Sequence, residues 1–190
     1  MDLHRWMLAD LAGVRTKLFS SVLDLIPAPR WHEQADGGGS SIAHLVLHLA
    51  RHQDLAVNTA IRGHVPLFHE HAEGLGLSGS APGVGLAERE DTATTAVVDP
   101  VALVRYATEV FDTTEQWLEP LGSLVLEAVP NTPHRLSTHA GITVDEFPWL
   151  HGMWRDKPLW WLVQWPVLGH GNAHVGEAIA VRNRMGLSPF

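Results

Sequence analysis

Cysteine is absent from this chain. No thiol nucleophile, disulfide framework or thiolate metal site can be built from it, and any thiol chemistry must borrow an external thiol. Lysine occurs only at positions 17 and 157, so the basic side chains are nearly all arginine. A formal net charge of −8 lacks the basic footprint of broad nucleic-acid binding, and no nucleic-acid partner is expected. Apolar runs fall well short of the ~18 residues of a membrane span. The first residues, MDLHRWMLADLAG, carry charges where a signal peptide needs an apolar stretch. The expectation is a soluble cytoplasmic protein with no membrane partner.

What is present is ordinary in bulk and unusual in detail. With 45% hydrophobic and 18% charged residues, the chain has a globular composition, and its 190 residues suit one domain spanning 1–190. Two counts stand out: 13 histidines, and 8 tryptophans of which five lie between 149 and 165.

Hydrophobic periodicity predicts an all-α fold. Leu3, Met7, Leu11, Val14, Leu18, Val22 and Leu25 form one stripe at helical spacing, with Asp2 as a cap and Pro27 and Pro29 as stops. After the turn ADGGGSS, a second helix is expected from about Ser41 to Arg62, ending at Gly63. Its stripe is Ile42, Leu45, Leu49, Ala56 and Thr59, with His44, His48 and His52 on or beside it. Residues 63 to 98 read as a long irregular loop, rich in Gly, Ser and Pro, of the kind that is either functional or disordered. Asp99–Pro100 opens a third helix through Val104, Ala107, Phe111, Thr114, Leu118 and Leu121. SLVLEAV, within the ambiguous stretch 122–157, fits a short strand or a helical turn. A fourth helix lies between Leu159 and Met185, with Pro166 kinking it or marking its start. Four amphipathic segments without convincing strands predict a four-helix bundle with a long irregular loop between helices 2 and 3.

The stretch GHGNAHVGEAIAVRNRMGL places His170 and His174 four residues apart and Glu177 three further on. Residues i and i+4 share a helix face, so two imidazoles at this spacing can chelate one ion. A catalytic zinc site wants three protein ligands and an open position, so a third must come from another helix. His48 is the preferred donor because it sits between Leu45 and Leu49, with His44 and His52 one turn to either side in competition. Spacing alone does not separate this chelate from chance, since 13 histidines generate several pairs four apart. Glu177 reads either as a surface carboxylate pairing with Arg182 or as an acceptor that orients a ligand imidazole; the second is preferred. Arg51 and Asp54 read as a surface pair at i,i+3, and His64, His69 and His71 as loop surface, or as lining of the site should the loop fold over the bundle mouth. The five clustered tryptophans are expected mostly in the core and packed against the long loop, with a subset as candidates for an aromatic wall beside the metal or for a homodimer face.

SIAHLVLHLARHQD (41–54) resembles the second-helix signature of the DinB-like superfamily, and the His170–Leu187 stretch resembles its last-helix signature. EGLGLSGSAPGVG leading into DPVALVRYATEVFD is similar to the loop and third helix of the actinobacterial branch related to mycothiol-dependent maleylpyruvate isomerases. The likeness covers most of 41–187. It implies a four-helix bundle that binds a divalent metal, zinc or nickel, through three inward side chains, which fall here on His48, His170 and His174. The isomerases use a Glu at one of the three positions, so this all-His set resembles the family's metal site more than any one activity.

The resemblance implies thiol transfer or isomerisation, with a low-molecular-weight thiol such as mycothiol acting on a small electrophile. Metal-dependent hydrolysis and a non-enzymatic, stress-associated metal-binding module are the alternatives.

Overall fold

The computed structural model describes residues 3–190; Asp2, the expected first cap, lies outside them. Among the described residues there is no β-strand, and the all-α expectation holds. Helix α1 (Leu3–Ser21) buries Met7, Leu11, Val14 and Leu18 along the expected stripe. It stops short of Leu25, which lies instead in a 3-10 turn, Leu23–Leu25, followed by extended backbone at Ile26. Extended geometry at Ile26 is what the ring of the following Pro27 imposes.

Helix α2 (Ile42–Asp54) starts at Ser41, whose Oγ accepts from the His44 N–H, and runs directly into a π-helical stretch, Leu55–Ile61. Gly63 follows at φ +71°, a left-handed cap position that suits glycine. The sequence stripe predicts one buried face here. Instead every residue from 42 to 61 is buried, including His44, His48, Arg51, His52, Gln53 and Asp54.

The reason lies in the segment 63–98, which packs back onto the helix. Asp54 anchors its start: the carboxylate accepts from the backbone N–H groups of Leu67 and Phe68, from Asn58 Nδ2 and from the Tyr106 hydroxyl, at 2.8–3.0 Å. Burial beside that carboxylate pushes the Tyr106 phenol well above its usual range, so it stays a donor. Short helices α3 (Phe68–His71) and α4 (Thr92–Thr95) punctuate the segment, and Phe68, Leu75, Leu77, Leu86 and Val98 bury its apolar side chains. Residues 82–90 then form a strap along α2.

Helix α5 (Pro100–Leu118) is capped by Asp99, whose carboxylate accepts from the Ala102 N–H at 2.7 Å. SLVLE adopts a 3-10 turn (Ser123–Glu127), and α6 (Thr132–Ala140) and α7 (Pro148–Trp154) occupy the ambiguous region before the last long helix. That helix is continuous in three parts: α8 (Leu159–Val163), a π-helical stretch Gln164–Gly169 and α9 (His170–Arg184). Pro166 falls in the widened part, where its missing N–H and bulky ring are tolerated without a break. Helices α1 and α2 each contact both α5 and α9, so the four long segments share one hydrophobic core. None of the described helices is long and apolar enough to cross a membrane.

Candidate metal centre

His48 projects from the middle of α2, and His170 and His174 from the first turns of α9. The helices pack against each other, and the three rings meet between them. His170 Nε2 lies 3.1 Å from His48 Nε2 and 3.1 Å from His174 Nε2. The fourth member of the group is Glu88, from the strap. Its carboxylate oxygens stand 3.6 Å from His48 Nε2, 3.8 Å from His170 Nε2 and 3.7 Å from His174 Nε2. One ligand atom from each of these residues falls within 4.8 Å of the others, a group that could hold a metal ion.

The hydrogen bonds decide which nitrogens face inward as lone pairs. His48 Nδ1 lies 2.8 Å from the Gly85 carbonyl, which can only accept, so Nδ1 carries the proton and Nε2 is bare. His174 Nδ1 lies 3.2 Å from Glu177 Oε2 and donates to it, baring its Nε2 likewise. His170 Nε2 therefore meets two lone pairs at once, and a single N–H there could satisfy only one of them. Its Nδ1 is buried without a partner. A cation at the meeting point resolves the conflict among the three nitrogens. Nitrogens at zinc-bond lengths in a tetrahedral set lie ~3.4 Å apart, close to the observed spacing, so the residues present fit a divalent metal.

Protonation agrees. Burial lowers the His48 imidazole to about 4, with the Gly85 hydrogen bond opposing and His174 and His44 adding to the shift. Burial, then the nearby His52, His174 and His48, pushes His170 lower still. Both rings are neutral at pH 7, as ligation requires. Their approaches to Glu88 are for the same reason not ion pairs.

His44 and His52, the competitors on α2, turn to another task. His44 Nε2 donates to the Glu88 carbonyl at 3.3 Å and His52 Nε2 to the Leu86 carbonyl at 3.2 Å. Arg51 and Asp54 correct the surface-pair reading, because both are buried and neither binds the other. Arg51 donates to the carbonyls of Pro82 at 2.6 Å and Val84 at 3.1 Å, with its guanidinium 3.9 Å from the Phe68 ring centroid. At the start of the helix, Glu90 accepts from Ser41 N and Oγ at 2.7 and 2.8 Å. The polar side of α2 thus carries the strap, and the strap carries Glu88. Gly85 bends it at φ +76°, where a side chain would be strained and would crowd Arg51 and Leu47.

Glu177 sits where the orienting role requires it, on His174, and not on Arg182. Arg182 is buried and donates to the Ser21 carbonyl and to Asn183. The loop histidines stay away from the centre: His64 and His69 are exposed, and His71 pairs with Glu109 at 2.8 Å. Three of the five clustered tryptophans meet the core expectation, Trp154 buried in it and Trp160 and Trp161 packed against it. Trp149 and Trp165 are exposed and Trp160 and Trp161 half-buried. Trp149 and Trp154 stand beside the His cluster, with ring centroids 6.2 and 6.3 Å from His52.

Sequence reasoning missed Glu88. It lies in a non-periodic stretch 40 residues beyond His48, and the only signal was a Gly-rich turn ending in the charged run Glu88–Asp91. A cavity of about 510 Å³ opens along the strap, lined by His44, Leu47, Ala87, Arg89 and Phe147 among others. Set against known proteins, the chain matches no family model, no curated protein and no solved structure.

Proposed function

We propose that this chain is a divalent-metal-dependent enzyme of the thiol-transferase or isomerase type, built on a DinB-like four-helix bundle. One observation carries the reading: the Nε2 atoms of three imidazoles from two helices converge, those of His48 and His174 bare and each 3.1 Å from that of His170. The DinB-like signatures around His48 and His170–His174 support the family reading, as does the common core of the four long helical segments. Imidazole donors suit both zinc and nickel. A bound divalent ion supplies Lewis acidity that lowers the pKa of a coordinated thiol or water.

The chain's own residues supply the rest. His48, His170 and His174 hold the ion, and three neutral donors leave its positive charge intact for an anionic thiol. The Gly85 carbonyl and Glu177 fix the tautomers of His48 and His174, so both rings stay aimed inward without rearrangement. The cavity beside His44 and Arg89 offers room for a small electrophile and for the body of a low-molecular-weight thiol. With no cysteine in the chain, that thiol must be borrowed; mycothiol is the proposed co-substrate.

The test is turnover of a panel of electrophiles by zinc- or nickel-loaded protein, with and without mycothiol. Thiol-dependent consumption is expected. Turnover of esters or amides without added thiol would replace this reading with metal-assisted hydrolysis. No turnover in either arm would favour a metal-binding module without catalysis.

A further inference from the structure

We propose that the Glu88 carboxylate is a displaceable fourth ligand, which closes the metal centre at rest and yields its place to an incoming anion. The inference rests on the metal-centre reading and concerns what controls access to it.

Three features of the strap carry it. First, the backbone around Glu88 is pinned by the helix that supplies His48. The carbonyls of Gly85, Leu86 and Glu88 itself are taken by His48, His52 and His44, and the Glu90 carboxylate is held by Ser41. Glu88 is thereby delivered to the face formed by the three Nε2 atoms. Second, the side chain is not pinned. It is 74% exposed, and among the described residues its carboxylate approaches only the three imidazoles, at 3.6–3.8 Å. It faces the nitrogens nearly evenly, beyond hydrogen-bond reach, as a group does that serves the point between them rather than any one ring. Third, there is somewhere for it to go. The side chain is largely exposed, so rotation away from the imidazoles carries the carboxylate into open solvent.

The charge balance selects the ligand class. Three neutral imidazoles leave a divalent ion with its full charge, and a carboxylate halves it. Exchange of that carboxylate for a thiolate, a carboxylate or another small monoanion keeps the charge constant. A neutral ligand in the same place would leave the charge uncompensated in a half-buried site. The exchange needs only side-chain rotation at Glu88, because its backbone is already held.

Cobalt(II)-loaded protein and azide provide the test, through the visible spectrum and without any activity measurement. Glu88→Gln and Glu88→Ala are expected to retain cobalt, to change its visible bands before azide is added, and to bind azide about tenfold more tightly. That factor corresponds to a carboxylate occupying the position about nine-tenths of the time in the wild type. Cobalt bands identical to wild type in both variants would overturn the inference whatever the azide affinity, since removing a nearby charge alone can raise that affinity. Loss of cobalt from both variants would also overturn it, because a ligand the site cannot lose is not exchangeable. Failure of the wild type to take up cobalt would overturn the metal centre itself and this inference with it.

Discussion

The Nδ1–H of His48 is committed to the Gly85 carbonyl, and that bond determines what the opposite nitrogen can do. Similar commitments at His174 through Glu177, and at His44 and His52 through strap carbonyls, sort four rings into two with a free inward nitrogen and two fasteners. The sequence reveals part of this. His170, His174 and Glu177 are legible because one helical stripe carries them, and helical spacing is a strong signal. The choice of His48 over His44 and His52 is weakly legible, since all three sit near the same face and only their distant partners distinguish them. Glu88 is not legible, because a residue in an aperiodic strap has no spacing rule. Burial has a measurable consequence at this scale. The folded pKa values of His48 and His52 lie at about 4 and about 3, below the 6.5 of an unfolded imidazole. In that interval the unfolded chain binds protons that the folded chain refuses, so stability is full above pH ~6.5 and declines as pH falls toward the folded values. Chemical denaturation of metal-free protein is therefore expected to show a falling midpoint from roughly pH 7 to 5, before most carboxylates titrate. A midpoint flat across that window would contradict the burial of these rings.

Helix α2 shows how an element's environment can differ from its pattern. Its stripe of Ile42, Leu45 and Leu49 predicts one buried face, yet the polar side is buried as well because residues 82–90 lie across it. Arg51 is the central fastener, with two carbonyls of the strap on its guanidinium and Phe68 beneath. Arg51→Met would keep much of the volume while leaving the Pro82 and Val84 carbonyls without their donor, at a cost of roughly 1–3 kcal/mol. The expected result is lower stability together with faster proteolytic cleavage within 82–90. Unchanged cleavage in the strap would show that the histidine bonds suffice without it. The last long helix offers the converse case. Pro166 could have marked its start, but the widened turn at Gln164–Gly169 absorbs the proline and lets α8 and α9 run on as one rod. That continuity places His170 and His174 opposite His48.

At the scale of the whole molecule, the helical class and the positions of the long helices follow from periodicity and capping residues such as Ser41 and Asp99. The route of residues 63–98 does not, because it is set by tertiary bonds to Asp54, Arg51 and the α2 histidines rather than by local propensity. The clustered tryptophans illustrate the same limit, with Trp149 and Trp165 in solvent despite their size. Two helices and a strap bring together three imidazoles and a carboxylate that could hold a metal ion, and the remaining fold holds these elements in register. The most direct test is the metal content of untagged protein after dialysis against zinc or nickel, compared with His48→Ala and His174→Ala. The account predicts a single tightly held ion per wild-type chain and loss of that ion in either variant, with the helical content of both retained. A wild-type protein that holds no stoichiometric metal, or variants that hold as much as the wild type, would contradict it.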